Sequence, residues 1–497
     1  MEQNKKTRVV IAGGGTAGWM AAASLGRQLN EELDIVLVES EEIGTVGVGE
    51  ATIPPMCTFH RFLRIDEQEF MRATEATFKL GIQFENWGQI GDNYIHSFGK
   101  TGEETWLAGF IHFWLRGKEL GVANEFGEYC LEWLAAREHK CGFDANNRIN
   151  YAYHLDASRY AKFLRTIAEK AGVKRVEGKI HQVIQNTSNG FVESLRMQSG
   201  ELVSGDLFID CTGFQGILIE QTLFTGYDDW THWLPCDRAV AVQTASVRPP
   251  APYTRSIAHE SGWRWQIPLQ HRVGNGTVFC SRFMSEDEAT AKLLSEIEGE
   301  TLIEPRVIRF RTGKRRRVWN KNVVALGLAS GFLEPLESTS IHLIMMGITR
   351  LMQLFPFSGI REEAVNEFNR QSEMEMEKIR DFIILHYKAT DRTDSPFWRF
   401  CRLMDVPDTL AQRIELFKNT AHAFQGDSEL FRVDSWIQVM LGQGIMPKSY
   451  HHFARIMNDR KLKEFLNNLS QDMHEKVAKM PEHDTFLRQY CGVDYMR

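Results

Sequence analysis

The sequence predicts an α/β fold with a parallel βαβ unit at its start, a β-rich part interleaved through the middle and a mostly helical C-terminal part. Three observations lead there. Residues 8–12, Arg-Val-Val-Ile-Ala, form an apolar run that ends in glycines, as a strand buried on both faces does. Short strand-like stretches recur at 179–185, 192–197 and 206–210, and again across roughly 238–283. From Glu362 onward the pattern is helical and rich in Met and Phe.

In chain order, the first strand covers Arg8 to Ala12, a helix runs from about Ala17 to Leu29, and a second strand, Ile35–Val38, is closed by Glu39. An aromatic-rich stretch follows to about residue 150. Its helical pattern from Glu67 to Phe84 places Lys79 near a helix end. Residues 159–171 read as an Ala/Leu-rich helix, and the strand Val323–Leu326 leads to a helix from about Ser340 to Leu354. Neither an internal repeat nor a low-complexity linker is present, so the βαβ segments are interleaved with the rest.

Composition narrows the function. Of 497 residues, 43% are hydrophobic and 25% charged, as in ordinary globular proteins. The net charge of −7 argues against a nucleic-acid binder, which needs a basic surface for phosphates. The basic run Lys314–Arg317 lies between strand-like flanks and reads as a solvated turn or strand edge. Eight scattered cysteines without a Cys-x-x-Cys pair suit reduced thiols in a cytoplasmic protein. No apolar stretch is long enough to cross a bilayer, and the short apolar N-terminal piece is a strand rather than a signal peptide. The adjacent His451 and His452 lack metal-ligand spacing, so no metal is expected.

Gly13-Gly-Gly-Thr-Ala-Gly18 fits G-x-G-x-x-G between a strand and a helix. Gly13 permits the tight turn, Gly15 lets the backbone approach a pyrophosphate, and Gly18 lets helix and strand pack closely. The helix start offers free N–H groups to phosphates. Glu39 stands about 20 residues on, where an acid grips a ribose hydroxyl. Later segments favour FAD over NAD. Ile209-Asp-Cys-Thr-Gly213 resembles the second flavin motif of FAD enzymes, Val324–Gly327 sits where a late strand returns to the flavin, and the flexible loop Gly44–Pro54 could lie along the cofactor.

Ser338-Thr-Ser340 precedes an apolar helical run. Such a start leaves unpaired backbone N–H groups that bind anions. Plain capping by Ser or Thr is the alternative, but Glu337 is a carboxylate that a cap does not require. Lys79, between Phe78 and Leu80, reads by itself as a surface lysine with its stem packed on apolar neighbours. In a pocket, burial would lower its pKa and a nearby glutamate would restore its charge. Trp263-Arg-Trp-Gln-Ile-Pro268 places Trp263, Trp265 and Ile267 on one strand face, either as core or as a cavity wall. His96-Ser-Phe98 offers flat faces suited to a flat substrate, or simply a packed aromatic segment.

In their order along the chain, the glycine turn, the Lys79 segment, the Trp-x-Trp-x-Ile-Pro string and the Glu337 segment resemble the flavin-dependent halogenases of the tryptophan/indole type. The resemblance spans about residues 8 to 342. It implies a Rossmann-like FAD-binding fold of the flavin monooxygenase/halogenase type, with a halogenation core over 1–355 and a helical substrate-side subdomain over 356–497. It also implies FADH2 from a separate flavin reductase, O2, and chloride or bromide oxidised to hypohalous acid, with a homodimer common in the family. Lys79 would present the halogen, Glu337 would polarise it and stabilise the cationic ring, and Thr339 and Ser340 N–H groups would hold the halide. His96 and Phe98 would stack on an indole-like substrate. Cofactor contacts are expected from Gly13, Gly15, Thr16, Ala17, Gly18, Glu39, Ala51, Val183, Leu326 and Ile341.

Two departures stand out. The family usually has glycine after its Ser-Thr pair, where this chain has Ser340, which leaves the halide preference open. The stretch Lys448-Ser-Tyr-His-His-Phe453 is not matched residue by residue to the tyrosines and acid that hold free tryptophan in the family, which makes indole, a substituted indole or a tryptophan-containing peptide a plausible substrate. A flavin monooxygenase on the same fold and a non-catalytic flavoprotein are the rivals. The Trp-x-Trp-x-Ile-Pro string with Lys79 and Glu337 speaks against both.

Overall fold

The computed structural model describes residues 6–43, 49–143 and 148–492. Residues 44–48 of the expected cofactor-side loop lie outside the described residues. Contacts divide the chain into two units, each assembled from three separated stretches.

The first unit comprises Met1–Ala76, Leu155–His232 and Phe310–Glu377. Its centre is a six-stranded sheet in the order Trp319–Asn320, Val323–Ala325, Leu207–Asp210, Thr7–Ala12, Leu33–Glu39 and Lys174–Glu177. All pairings are parallel except the hairpin at the Trp319 edge. Val9–Ala12 and Phe208–Ile209 are wholly buried, which explains their unbroken apolar runs. Helices Thr16–Leu29 and Ala157–Lys170 pack together, the second capped by the Asp156 carboxylate on Ser158 and Arg159 N–H.

A small sheet in this unit, Tyr227–Asp229, Gly313–Arg315 and Gly331–Phe332, corrects the expectation for the basic run. Lys314 and Arg315 are buried, not solvated. Lys314 Nζ pairs with Asp228 at 3.1 Å and Glu373 at 2.8 Å, and Arg315 pairs with Glu220 at 2.7 Å. Buried charges persist because each has partners. Those carboxylates come from distant segments, so the run alone could not reveal them.

The second unit comprises Thr77–His154, Trp233–Arg309 and Lys378–Arg497. Its seven-stranded sheet has the order Arg306–Arg309, Arg238–Ala245, Arg272–Phe279, Gly262–Pro268, Thr254–His259, Gly81–Glu85 and Asn93–Ser97. Only the Thr254–Gly81 pairing is parallel. Trp265 lies over Gly276 on the next strand, where any Cβ would collide with its ring. Trp87 packs against Trp263, Tyr387 and Trp398 to form an aromatic core. Among the described residues no helix is long and apolar enough to cross a membrane.

The helix expected over 67–84 is much shorter. It spans Glu67–Thr74, begins at the Asp66 cap and stops at Glu75 with φ 53°. A strand, Thr77–Lys79, follows and pairs antiparallel with Ala152–His154. Tertiary pairing overrides local helical periodicity here, and the left-handed stop falls on a glutamate, which gives no glycine signal.

Candidate active site

The dinucleotide turn is shaped by its glycines. Gly13 has φ 109°, and a Cβ there would stand 2.3 Å from the Cys211 carbonyl oxygen. A Cβ on Gly18 would lie 1.9 Å from Gly13 O. Gly15 is the N-cap of helix Thr16–Leu29, carries no side-chain cap, and has nothing within 4 Å of its Cβ direction. An uncapped helix start with open space before it fits the pyrophosphate of a dinucleotide. Thr16 and Ala17 form the first turn and are half-buried. Gly14, which the sequence reading passed over, is equally constrained, because its Cβ would meet the Glu39 carboxylate at 1.6 Å.

Glu39 ends its strand as expected, but its carboxylate is already engaged. Arg175 Nε reaches Oε1 at 2.5 Å and Trp19 Nε1 donates to Oε2 at 3.3 Å. A ribose hydroxyl would share that carboxylate rather than claim it.

The other expected cofactor residues distribute around the same unit. Asp210 accepts from Thr212 N–H and hydroxyl and from Leu218 and Ile219 N–H, fixing the Cys211–Gly213 loop beside Gly13. Leu326 N–H donates to Asp210 O. At the next residue, a Cβ on Gly327 would stand 2.9 Å from Ala17 Cβ, so the end of the Val323 strand abuts the glycine turn. Ile341 is buried in the first turn of helix Ser340–Gln353, and Ala51 is buried at the end of strand Gly49–Ala51. Val183 is half-buried in strand Ile180–Gln185, opposite Leu195. Beside Ala51, burial pushes the Glu50 carboxyl up to about 7.

Glu337 ends a short 3₁₀ turn, Pro335–Glu337, and is wholly buried. Ser338 adopts the left-handed conformation with φ 60°, and Thr339 is the N-cap of helix Ser340–Gln353. Thr339 itself makes no side-chain cap bond to this helix. Thr339 is 1% exposed, and its Oγ1 finds no hydrogen-bond partner among the described residues. An uncapped, buried helix start with a carboxylate two residues before the cap can receive a small anion. Ser340 needs no glycine-like backbone, since the residue with positive φ is Ser338.

Lys79 is also wholly buried, contrary to its surface reading. Strand alternation sends Phe78 one way and Thr77 and Lys79 the other. Phe78 sits among Phe143, Tyr151, Phe486 and Tyr490, which anchors the strand. Lys79 Nζ lies 5.2 Å from the Phe98 ring centroid, within reach of a cation–π attraction. Phe98 is placed by its N–H bond to Leu80 O, at 2.9 Å. His96 is buried and packs near Phe382 and Phe431. Between them, Ser97 N–H donates to Gln438 Oε1 at 2.7 Å. The structure therefore brings together Lys79 and Phe98, with His96 on the strand that leads to Phe98.

His154 is a residue that sequence reasoning missed. Thr77 Oγ1 donates to Pro268 O at 2.8 Å and is 3.0 Å from His154 Nδ1. The Thr77 hydroxyl has one proton and gives it to a carbonyl, so His154 Nδ1–H must donate to the Thr77 oxygen. Burial, then the Lys79 charge and His483, hold the His154 pKa well below 6.5, so the ring is neutral. Its Nε2 therefore accepts from Thr254 Oγ1 at 2.9 Å. This relay ties the end of the Trp-x-Trp-x-Ile-Pro strand to the Lys79 strand. Its members are up to 191 residues apart, and no spacing signal could have found them.

The chain matches the tryptophan halogenase family over residues 8–459. It is 38% identical to the tryptophan 7-halogenase RebH of Lentzea aerocolonigenes, over 98% of this chain and 99% of that protein. The structure of a flavin-dependent halogenase from Xanthomonas campestris is similar with a TM-score of 0.96 and 54% identity, covering 98% of each chain. That of BrvH, a flavin-dependent halogenase from Brevundimonas sp. BAL3, gives a TM-score of 0.94 and 42% identity, covering 98% of this chain and all of that one.

Proposed function

This chain belongs to the tryptophan halogenase family and is a flavin-dependent halogenase, and we propose that it places chlorine or bromine on the electron-rich ring of an indole or tryptophan derivative. Bound FADH2, supplied by a separate reductase, would provide the two electrons and two protons that, with one further proton, turn O2 and halide into hypohalous acid and water. The chain's own residues do the rest. The glycine turn holds the cofactor's pyrophosphate on the start of helix Thr16–Leu29. Thr339 and Ser340 N–H groups hold the halide at an uncapped helix start.

Lys79 presents the halogen to the ring, by hydrogen bonding hypohalous acid or as a haloamine. Glu337 polarises the electrophile and offsets the positive charge of the ring intermediate, an effect that burial strengthens. His96 and Phe98 align the substrate. From hypohalous acid, hydroxide and the ring proton leave together as water; from a haloamine, water has left when the N–halogen bond formed and the ring proton returns to the Lys79 nitrogen. The helical part over 356–497 is the substrate side, and the chain acts as a homodimer.

The observation that carries this reading is the complete burial of Lys79 on a strand face beside Phe98. Lysine is almost never fully buried unless it is paired, as Lys314 is, and buried ionisable groups cluster at functional sites. The test is product mass spectrometry with FAD, NADH, a generic flavin reductase and bromide or chloride, with indole and tryptophan supplied separately. Halogen isotope doublets from wild type, absent from Lys79→Ala and Glu337→Gln, are expected. A product heavier by one oxygen, unaffected by Lys79→Ala, would replace this reading with a monooxygenase.

A further inference from the structure

Phe98 stands at the edge of its sheet, where the backbone needs partners from outside. Asn93–Ser97 is an edge strand of the seven-stranded sheet. Phe98 N–H turns inward to Leu80 O at 2.9 Å, so along an extended chain the Ser97 N–H turns outward. A buried edge N–H must find its acceptor elsewhere. Helix Val433–Gly442 supplies it. Ser97 N–H donates to Gln438 Oε1 at 2.7 Å, and Ser97 Oγ lies 3.2 Å from the same oxygen. An N–H can only donate, so the carbonyl end of the Gln438 amide faces Ser97 and the NH2 end is free to donate elsewhere. It donates to Thr101 Oγ1 at 3.2 Å.

One amide thus bridges Ser97 and Thr101, the residues on either side of Phe98–Lys100. One turn earlier on the same helix face, Asp434 Oδ1 accepts from Thr101 N–H at 2.9 Å. Gly99 is packed closely as well. A Cβ there would stand 2.4 Å from Cys130 Sγ and 2.0 Å from Glu132 Oε2. Glu132 Oε1 is itself held by Asn150 N–H at 2.8 Å and Asn150 Nδ2 at 3.1 Å. Ser97, Thr101, Gln438 and Glu132 are all buried, so water does not compete for these bonds. Phe98 differs from its neighbours. His96, Ser97 and Gly99 are buried, whereas Phe98 keeps part of its surface open, and its ring is the one that lies 5.2 Å from Lys79 Nζ.

We propose that Gln438 and Thr101 are positioning residues that latch the Phe98 segment, fixing the height and tilt of the Phe98 ring over Lys79 and with it the pose in which an aromatic substrate meets the halogen. This rests on the halogenase reading above. Both residues act through Phe98 rather than on the substrate. A stacking face helps only while it is stationary, because a swinging ring binds the substrate less tightly and at a range of distances from the reacting group. Formation of hypohalous acid uses the cofactor and halide groups, none of which belongs to the latch, so it does not depend on it.

The test removes the arms of the latch separately. Thr101→Val takes away the hydroxyl at nearly constant shape, Thr101→Ser keeps it, and Gln438→Met removes the amide at constant chain length. FAD-loaded enzyme is assayed with bromide, a reductase and varied indole or tryptophan, whichever the wild type brominates. Brominated product gives KM and kcat. Hypobromous acid trapped by monochlorodimedone without aromatic substrate gives the rate of halide oxidation, and FAD affinity is measured separately. The expected result is a several-fold rise in substrate KM in Thr101→Val and a larger one in Gln438→Met. Trapped hypobromous acid per folded enzyme and FAD affinity should be unchanged, and Thr101→Ser should stay near the wild-type KM. Thr101→Val loses a single bond, so it decides the matter even if Gln438→Met fails to fold. A purely structural role would lower brominated product and hypobromous acid together at constant KM. That pattern, or a wild-type KM in Thr101→Val, would overturn the latch alone. If wild type forms neither brominated product nor hypobromous acid, the halogenase reading fails and the latch with it.

Discussion

The dinucleotide turn and the Lys79 strand are both rigid, but they are made rigid in different ways. The turn is built from some thirty consecutive residues, and its constraints are the Glu39 side chain and backbone atoms of its own βαβ unit and of the adjoining Cys211 loop. The Lys79 strand is held by partners from Tyr151–His154, Thr254, Pro268 and Phe486–Tyr490. A locally built site keeps its shape while its own few residues are intact. A site assembled from remote segments can be loosened from any of them.

The largest expected effect is on chemistry at the remotely built site. Lys79→Met keeps the buried volume and removes the ammonium, so the fold should persist while halogenated product falls by about 10²–10⁴-fold. Retention of a tenth or more of the activity, with normal FAD binding, would remove Lys79 from the reaction.

Next comes the locally built site. Gly18→Ala forces a Cβ to within 1.9 Å of a backbone oxygen, and should lower stability by about 1–3 kcal/mol, read as a drop in Tm. Gly15→Ala meets nothing within 4 Å, so its Tm should match wild type while FAD affinity falls. Equal effects of the two variants on stability would contradict the assigned roles.

Thr77→Val tests the relay without touching Lys79. It leaves the His154 Nδ1–H and the Pro268 carbonyl without their shared partner, at a cost of about 1–3 kcal/mol. Halogenation should fall further than in Gly15→Ala assayed at saturating FAD. An unchanged urea midpoint would mean that the relay does not brace the strand.

Acid sensitivity separates the two units. In the second unit burial lowers the pKa of His259 to about 3 and of His483 to about 4, and holds His154 well below 6.5. Unfolded, these rings bind protons below about 6.5 that the folded rings refuse. Stability is thus lost as pH falls through that value, by up to about 1.4 kcal/mol per pH unit per group. In the first unit His60, lowered to about 3, has the same sign, but Glu50, raised to about 7, has the opposite one. Folded Glu50 keeps a proton that its unfolded form releases above about 4.5, so falling pH favours folding there. Hydrogen exchange at pH 7 and 5.5 should show strands Thr254–His259 and Gly262–Pro268 losing protection before Thr7–Ala12 and Leu33–Glu39. The reverse order would contradict this balance.

Legibility in the sequence followed the same divide. The βαβ unit could be read because its strand, turn and helix signals are contiguous, and Gly13, Gly15 and Gly18 each have a distinct steric duty. Lys79 was misread as a surface residue near a helix end, since helical periodicity continued past Glu75 and the strand's partner lies 73 residues on, at Ala152. Half of the basic run was misread for the same reason: Lys314 and Arg315 are buried because Asp228, Glu373 and Glu220 neutralise them from other segments, while Arg316 is solvated as expected.

By itself the sequence determined the α/β class, the glycine turn and the string of motifs that resembles flavin-dependent halogenases, because each is written in a few adjacent residues. Only the tertiary structure decided that Lys79 is buried on a strand, that His154 is neutral and in its Nδ1–H form, and that the Thr339 hydroxyl is buried at a helix start without a hydrogen-bond partner among the described residues. Burial, hydrogen-bond satisfaction and protonation belong to the surroundings of a side chain, and those surroundings come from segments far away in the chain.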